Sequence, residues 1–415
     1  MSIPESFYRN AIDLNRFSNS VARRIINAYN DILINSATQL RLLNEANAPQ
    51  TAARLRALIA QTKDSLATWA GDASELLAPE LQGIAELQSS FTAQQLRDVL
   101  PTGARDAVRT VEISPQFAES VVTTDPTQLN IVVLSDDLYA AVEGAEALAR
   151  QAGTGAFNLT AAQGAAITLP NGEVVSKAFR GIATDSAERF GQVIRQGLLS
   201  GETTDRIIQR LIGKLQFGER ARTIAQTIAA GGQATAIADN QITSLVRTSI
   251  NQVANTAAMN VYESNLDITD QYQYVATLDS KTSAICRALD GKRFKYGQGP
   301  TPPQHFGCRS KVVAYIDFEK KYGIAPPEGT RASALGQVPE STTYGTWLYT
   351  KQKGETAADL RKRQEQALGP GRVPYFNRLA AKYGPEAAIA KFVRNDGSEL
   401  TLEQLRSRYG AIKKG

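Results

Sequence analysis

The sequence has little of the chemistry on which many enzymes and secreted proteins depend, with two cysteines and one histidine among 415 residues. Two cysteines cannot supply the disulfide framework of a secreted domain, and a single histidine confines histidine-based acid–base chemistry to one place. No stretch approaches the roughly 18 continuous apolar residues of a membrane helix, and the first residues lack the basic and apolar blocks of a secretory signal. No G-x-x-x-x-G-K-[ST] motif is present, which excludes a P-loop ATPase. These features predict a soluble protein made in a cytoplasm.

Positive charge is concentrated at the C-terminal end. The net charge is +5, but Lys351 to Gly415 contains 14 Lys and Arg against 7 Asp and Glu, which gives +7 there and −2 elsewhere. Basic segments attract phosphate chains through counterion release. We therefore expect this segment to lie near double-stranded DNA, although a solvated helical surface is the alternative. The candidate DNA-proximal residues are Arg361, Lys362, Arg363, Arg372, Arg378, Lys382, Lys391, Arg394, Arg406 and Arg408.

The pattern of apolar residues predicts an α+β protein that is predominantly α-helical. A helical N-terminal region covers residues 1–100, and residues 101–175 form a mixed segment that ends in an extended Gly/Ala/Thr-rich arm at 152–175. A helical domain with a small β subdomain covers residues 176–320, and a mixed basic extension covers 321–415. The arm buries little of its own surface, so it is either a linker or a segment that lies on a neighbouring subunit.

Helical spacing of apolar residues locates the main helices. A first helix is predicted before a break at Asn44–Pro49, and separate helices are predicted over Thr51–Ala70 and Ser74–Leu87. A long helix over Asp239–Ser264 presents a core-facing stripe of Ile242, Val246, Ile250, Val253, Ala257 and Val261. Further helices are predicted over Leu138–Gln151, around Phe190 to Leu198 and Ile207 to Ile212, and over Glu219–Ala230, Thr356–Gln366 and Pro385–Val393, with a capping box at Thr401 opening the last helix.

Strands are predicted where β-branched and aromatic residues replace this spacing. Tyr272–Leu278, Arg293–Tyr296 and Lys311–Ile316 form the β subdomain, and Asp290-Gly291 is predicted as a hairpin turn. Earlier strands are predicted in the runs VRTVEI (108–113) and NIVVL (130–134), and Pro170-Asn171-Gly172 is predicted as a turn.

Both cysteines and the only histidine fall within 23 residues, at Cys286, His305 and Cys308. Asp279 and Thr282 can cap a turn that leads to Cys286, and the Gly- and Pro-rich loop 297–303 then returns the chain to His305. Two thiolates and an imidazole are ligands that zinc prefers, and a structural zinc ion requires four. Asp279, Asp290 or a water molecule can complete the set.

Other interpretations of the same residues remain open. The thiols can be buried beside a hydrogen-bonded imidazole without a metal ion, or the two cysteines can form a disulfide. A cysteine–histidine pair is also the minimum for a nucleophilic thiol, but no oxyanion-hole motif accompanies it.

The stretch from Thr277 to Lys292, followed by Pro302, Pro303 and a H-x-x-C-R motif, resembles the Mu F-like minor head proteins of tailed phages. The resemblance covers about 176–320 well, including the helix LVRTSINQVANTAA, and covers the tail loosely through TTYGTWL and NDGSELTLEQLR. It does not cover residues 1–150. The motif residues are Asp279, Thr282, Cys286, Asp290, Gly291, His305, Cys308 and Arg309. The family commonly ends this motif in Cys-Arg-Cys, whereas Ser310 stands here in place of the last thiol.

The resemblance implies a structural protein rather than an enzyme. It implies a minor head protein present in several copies at the portal vertex or in the head interior, which acts in capsid assembly and in DNA packaging or ejection. The implied partners are the portal protein, the major capsid protein and packaged double-stranded DNA, with no membrane in the assembled head. The N-terminal helical region or the arm 152–175 is the expected docking segment. An internal or ejected DNA-binding virion protein, or a Cys/His-dependent enzyme, is the alternative.

Overall fold

The computed structural model describes residues 3–45, 52–115, 117–123, 156–159, 169–212, 233–394 and 397–411. In chain order the elements are α1 (Ile3–Glu45), α2 (Ala52–Val99), β1 (Thr110–Ile113), α3 (Phe117–Thr123), β2 (Ala156–Leu159), α4 (Val175–Leu199), α5 (Thr204–Ile212), α6 (Gln233–Glu263), β3 (Gln271–Val275), α7 (Ala284–Leu289), β4 (Arg293–Lys295), β5 (Lys311–Tyr315), α8 (Phe318–Tyr322), β6 (Thr330–Ser333), β7 (Gly336–Pro339), α9 (Tyr344–Tyr349), α10 (Ala357–Leu368), α11 (Val373–Tyr383), α12 (Pro385–Ala390) and α13 (Leu402–Tyr409). The predicted class, α+β and predominantly helical, is confirmed. Among the helices in these ranges, none combines the length and apolar character that crossing a membrane requires.

The long helices α1, α2, α4 and α6 pack side by side and share one apolar core. At its centre the ring of Trp69 lies edge-on to Tyr29 and Phe179, with centroids 5.2 Å and 5.8 Å away. Every residue of the predicted α6 stripe is buried. The helix period of the sequence therefore located this core correctly.

The prediction of separate helices over Thr51–Ala70 and Ser74–Leu87 is wrong, because α2 is one helix that continues across residues 71–73 and also passes through Pro79. Its buried face continues across the proline, with Leu77 and Leu81 both fully buried. Proline removes one backbone hydrogen bond, but packing along the whole helix holds the turn in place.

Part of the Gly/Ala/Thr-rich arm pairs with its own chain. The strand β2 forms a two-stranded parallel sheet with β1, which confirms the strand predicted in VRTVEI. The predicted turn at Pro170-Asn171-Gly172 is also confirmed, and Gly172 adopts φ +79° there. The run NIVVL and the helices predicted over Leu138–Gln151 and Glu219–Ala230 lie outside the described residues.

The three predicted strands of the β subdomain form one antiparallel sheet in the order β4-β3-β5. Strand β5 packs against α6, so the sheet rests on the helical body. The basic extension has a second core around Trp347 and Phe376, built from α9 to α13 beside the β6-β7 hairpin. The predicted capping box at Thr401 is present.

Candidate metal centre

The two thiols and the imidazole converge at one buried point. The Sγ atom of Cys286 lies 3.7 Å from Sγ of Cys308 and 3.5 Å from Nε2 of His305. Both cysteines are free thiols and are 1% and 2% exposed, whereas His305 is half-buried. Among the described residues, this is the group of His, Cys, Asp and Glu side chains close enough to hold a metal ion together.

Cys286 reaches the cluster from the first turn of α7. The hydroxyl of Ser283 caps this helix and accepts a hydrogen bond from the Cys286 amide at 3.4 Å. Asp279 and Thr282 instead shape the preceding turn, where the Thr282 hydroxyl donates to the Thr277 carbonyl at 2.6 Å. The predicted capping residues therefore stabilise the turn before α7, and Ser283 caps the helix that carries the thiol.

Cys308 is fixed by polar side chains of α6. The amide of Asn251 donates to the carbonyls of Cys308 and Ser310 at 3.0 Å and 3.2 Å, and Oδ1 of Asn255 accepts from the Val312 amide at 3.1 Å. Sequence reasoning missed this clamp. Its signal was two asparagines four residues apart on the buried face of an otherwise apolar helix stripe.

The orientation of His305 directs Nε2 into the cluster. Its Nδ1 lies 2.9 Å from the carbonyl oxygen of Phe306, which can only accept, so Nδ1 carries the proton. The lone pair of a neutral imidazole then sits on Nε2, 3.5 Å from the sulfur of Cys286. A carbonyl behind a ligating histidine is the usual support in metal sites.

The pKa values of the two thiols are shifted in opposite directions. Hydrogen bonding to Cys308, together with burial, raises the pKa of the Cys286 thiol. Hydrogen bonds to the Cys308 sulfur, first that from Cys286, lower the pKa of Cys308. Of the two thiols, Cys308 therefore gives up its proton more readily, and a hydrogen bond with Cys308 raises the pKa of His305.

The geometry fits zinc. A tetrahedral ion with Zn–S bonds of about 2.3 Å and Zn–N bonds of about 2.05 Å places two sulfurs about 3.8 Å apart and a sulfur about 3.6 Å from the nitrogen. The observed separations are 3.7 Å and 3.5 Å. The hydroxyl of Tyr274 also lies beside the cluster, with its Oη atom 3.2 Å from Cys286 Sγ. Neither Asp279 nor Asp290 belongs to the cluster.

The other motif residues brace the surrounding turns. Arg309 forms a two-pronged ion pair with Asp279, at 2.6 Å and 2.9 Å. Gly291 adopts φ +80°, and a Cβ there would lie 3.1 Å from Thr343 Cγ2. A turn is present at Asp290-Gly291 before the predicted strand at Arg293, but it is not a hairpin turn, because a helix, α7, precedes it. The six-residue helix escaped prediction because it is too short to show a period.

The predicted DNA-proximal cations are not equivalent. Arg363 is buried and bonds to Glu355 and to the carbonyls of Trp347 and Thr350. It therefore serves the packing of the extension itself. Arg372, Lys391 and Arg394 are half-buried. The exposed members are Arg361, Lys362, Arg378, Lys382, Arg406 and Arg408.

The fold is that of an α+β protein in which a helical body carries a small sheet. Two thiols and an imidazole form a cluster beside this sheet. The family model described as phage Mu protein F like protein matches residues 188–313, a range that contains the whole cluster. Residues 188–313, less than a third of the chain, are therefore similar to the phage Mu protein F like family. No curated protein and no solved structure matches the chain.

Proposed function

We propose that this protein is a structural minor head protein that assembles at the portal vertex of a tailed phage and acts in capsid assembly and in DNA packaging or ejection. The family match over 188–313 carries the proposal. The shape of the body supports it, because the 48 residues of α2 extend about 70 Å. A rigid rod of that length suits a protein that bridges subunits of the shell and the portal.

The test is an asymmetric reconstruction of the phage head together with co-purification from cells that express the protein with the portal or major capsid protein of the same phage. We expect density for α1 and α2 beside the portal ring and retention by tagged portal protein. Normal, infectious heads assembled without this protein would contradict the proposal. Density inside the DNA-filled space alone would favour an internal, ejected protein.

We also propose that Cys286, His305 and Cys308 hold a structural zinc ion. When bound, the ion would tie α7 to the loop before β5. The match between the observed separations and tetrahedral zinc supports this, as does the Nδ1–carbonyl support of the imidazole. Both thiols are almost fully buried, which limits the access of a substrate to either sulfur and supports a non-enzymatic role.

Metal analysis of the purified full-length chain tests this proposal. We expect close to one zinc per chain, and a blue-green cobalt derivative with thiolate-to-cobalt absorption. Cys286→Ser should lose the metal and lower the midpoint of thermal unfolding. A metal-free protein whose unfolding midpoint is insensitive to chelators would instead indicate a hydrogen-bonded thiol–imidazole site.

We propose that the exposed cations of the basic extension face packaged DNA. The side of α11 supports this, because Lys382 and Lys391 both lie over the half-exposed ring of Tyr383, 5.0 Å and 4.6 Å from its centre. Closely spaced cations on an exposed surface are suited to the phosphate chain of a duplex.

Charge-neutralising variants test this contact in the intact chain. Replacing Arg378, Lys382, Arg406 and Arg408 by Gln should reduce the slope of log affinity against log salt by about 0.9 for each lost phosphate contact. The matched control replaces four exposed lysines elsewhere, namely Lys281, Lys292, Lys295 and Lys320. Equal salt slopes for the two variants would contradict a specific role of the extension.

A further inference from the structure

A small cavity of about 30 Å³ lies where α1, α6 and the start of β5 meet. Three cationic side chains from different segments line it: Arg247 from α6, Arg309 from the loop, and Lys311 from β5. Asn15 of α1 and Asn251 of α6 add polar groups to the wall. The cavity is separate from the candidate metal centre, although Cys308 borders both.

Lys311 is the unusual member of this cavity. The side chain is 7% exposed, and no hydrogen bond or ion pair joins its ammonium group to another residue in the part of the chain that the structure describes. Burial lowers the pKa of Lys311 to about 7. A charge removed from water is costly unless something compensates it, and lysines are rarely buried without a partner.

The neighbouring cations increase this imbalance. Arg309 is paired with the carboxylate of Asp279, whereas Arg247 donates to the neutral amide oxygen of Asn19, which lies 2.9 Å from Nε. Both arginines lie on the cavity wall. Burial, and after it repulsion by the charge of Arg309, lowers the pKa of Arg247. The cavity therefore collects more positive than negative charge, and Cys308 is the acidic group on its wall.

We propose that this cavity binds a phosphate group, one oxygen of which enters between Arg247, Arg309 and Lys311. The volume of about 30 Å³ admits one oxygen-sized group. A polar cavity of that size can hold an ordered water molecule, whose place a phosphate oxygen can take. Guanidinium groups bind phosphate oxygens through paired N–H donors, and an ammonium group adds a point charge. The phosphate is either the free ion or one unit of a nucleic-acid chain, since both present the same oxygens.

The experiment measures the thermal unfolding midpoint of the full-length protein against inorganic phosphate, with chloride adjusted to keep ionic strength constant. Wild type should be stabilised in a saturable manner. Lys311→Met and Arg247→Gln should each weaken phosphate affinity at least tenfold, whereas Lys320→Met, an exposed lysine on α8, should stay within twofold of wild type. Without phosphate, Lys311→Met should unfold no earlier than wild type, because methionine fills the space without a buried charge.

A short DNA duplex forms the second arm. Competition between the duplex and bound phosphate, lost in Arg247→Gln, assigns the site to a phosphodiester chain, whereas phosphate binding that the duplex does not displace assigns it to the free ion. Either result supports the site. A wild-type midpoint indifferent to phosphate, or an unchanged phosphate response in Lys311→Met and Arg247→Gln, would overturn it. Loss of metal in Lys311→Met without any change in phosphate response would also overturn it, and would make Lys311 a counterion of the Cys308 thiolate.

Discussion

Asp290 and Arg331 form an ion pair that is closed to solvent. The guanidinium reaches both carboxylate oxygens, at 3.0 Å and 3.1 Å, and the two side chains are 0% and 2% exposed. The same carboxylate accepts hydrogen bonds from the amides of Ala276 and Tyr344, at 2.7 Å and 2.6 Å. A motif residue of the Mu F-like region thus fastens both the β6 strand and the start of α9. The basic extension is joined to that region through a buried charge.

Removing the negative charge of this pair should be strongly destabilising. Asp290→Asn leaves Arg331 buried without a counter-charge, and breaking such a pair costs about 3–5 kcal/mol of unfolding free energy. Glu365→Gln is the control, because it breaks the exposed Arg361–Glu365 pair and should cost about 0.5 kcal/mol or less. Urea unfolding measures both. A loss below about 1 kcal/mol in Asp290→Asn would show that the pair does not hold the extension in place.

Ser310 offers a test of the proposed zinc site that adds rather than removes a ligand. Ser310 is buried two residues after Cys308, and its side chain is among the groups that lower the pKa of Cys286. Ser310→Cys should supply a third thiolate and raise zinc affinity at least about tenfold, since a thiolate binds zinc far better than a hydroxyl. Competition with a chromophoric chelator measures the affinity, and stronger thiolate-to-cobalt absorption reports the extra sulfur.

Ser310→Ala is the matched control for this substitution. It removes the hydroxyl without adding a thiolate, so zinc affinity should stay close to that of wild type or fall slightly. If Ser310→Cys and Ser310→Ala bind zinc equally, position 310 does not face the ion.

The Asp279–Arg309 pair should give the protein an acid-sensitive component of stability. Burial alone raises the pKa of the Asp279 carboxyl, but the hydrogen bonds and charge of Arg309 outweigh it and hold this pKa below its usual value. A lowered pKa in the folded state means that the pair stabilises the protein above the unfolded-state pKa of about 3.9. This stabilisation is lost as the pH falls through the folded-state pKa.

Asp279→Asn should therefore unfold more easily than wild type at pH 6, and the difference should shrink as the pH approaches 3. Asp64→Asn, on the exposed face of α2, should follow the wild-type profile. Unfolding midpoints recorded from pH 3 to 7 provide the comparison. A constant offset between Asp279→Asn and wild type across this range would contradict the assigned role of the ion pair.

The sequence predicted those elements whose residues follow a short-range pattern of apolar side chains. The stripe from Ile242 to Val261 identified α6 because each member faces the same core. The clustering of the rare thiols and imidazole likewise indicated one site. Long-range contacts carry no such pattern. Neither the pairing of Asp290 with Arg331, 41 positions apart, nor the burial of Arg363 could be read from charges that look solvent-exposed in sequence.

The asparagine clamp is the clearest case of a missed functional residue, and Asn255→Ala tests it. Oδ1 of Asn255 accepts from the amide of Val312, which is fully buried, so alanine leaves that donor unsatisfied at a cost of about 1–3 kcal/mol. Amide hydrogen exchange in residues 308–313 should accelerate, and metal retention should fall with it, because Cys308 loses its fixed backbone. The matched control is Asn260→Ala on the same helix, whose side chain bonds only to the Thr256 carbonyl of α6 itself. Equal exchange rates in the two variants would mean that β5 holds the Cys308 loop without help from α6.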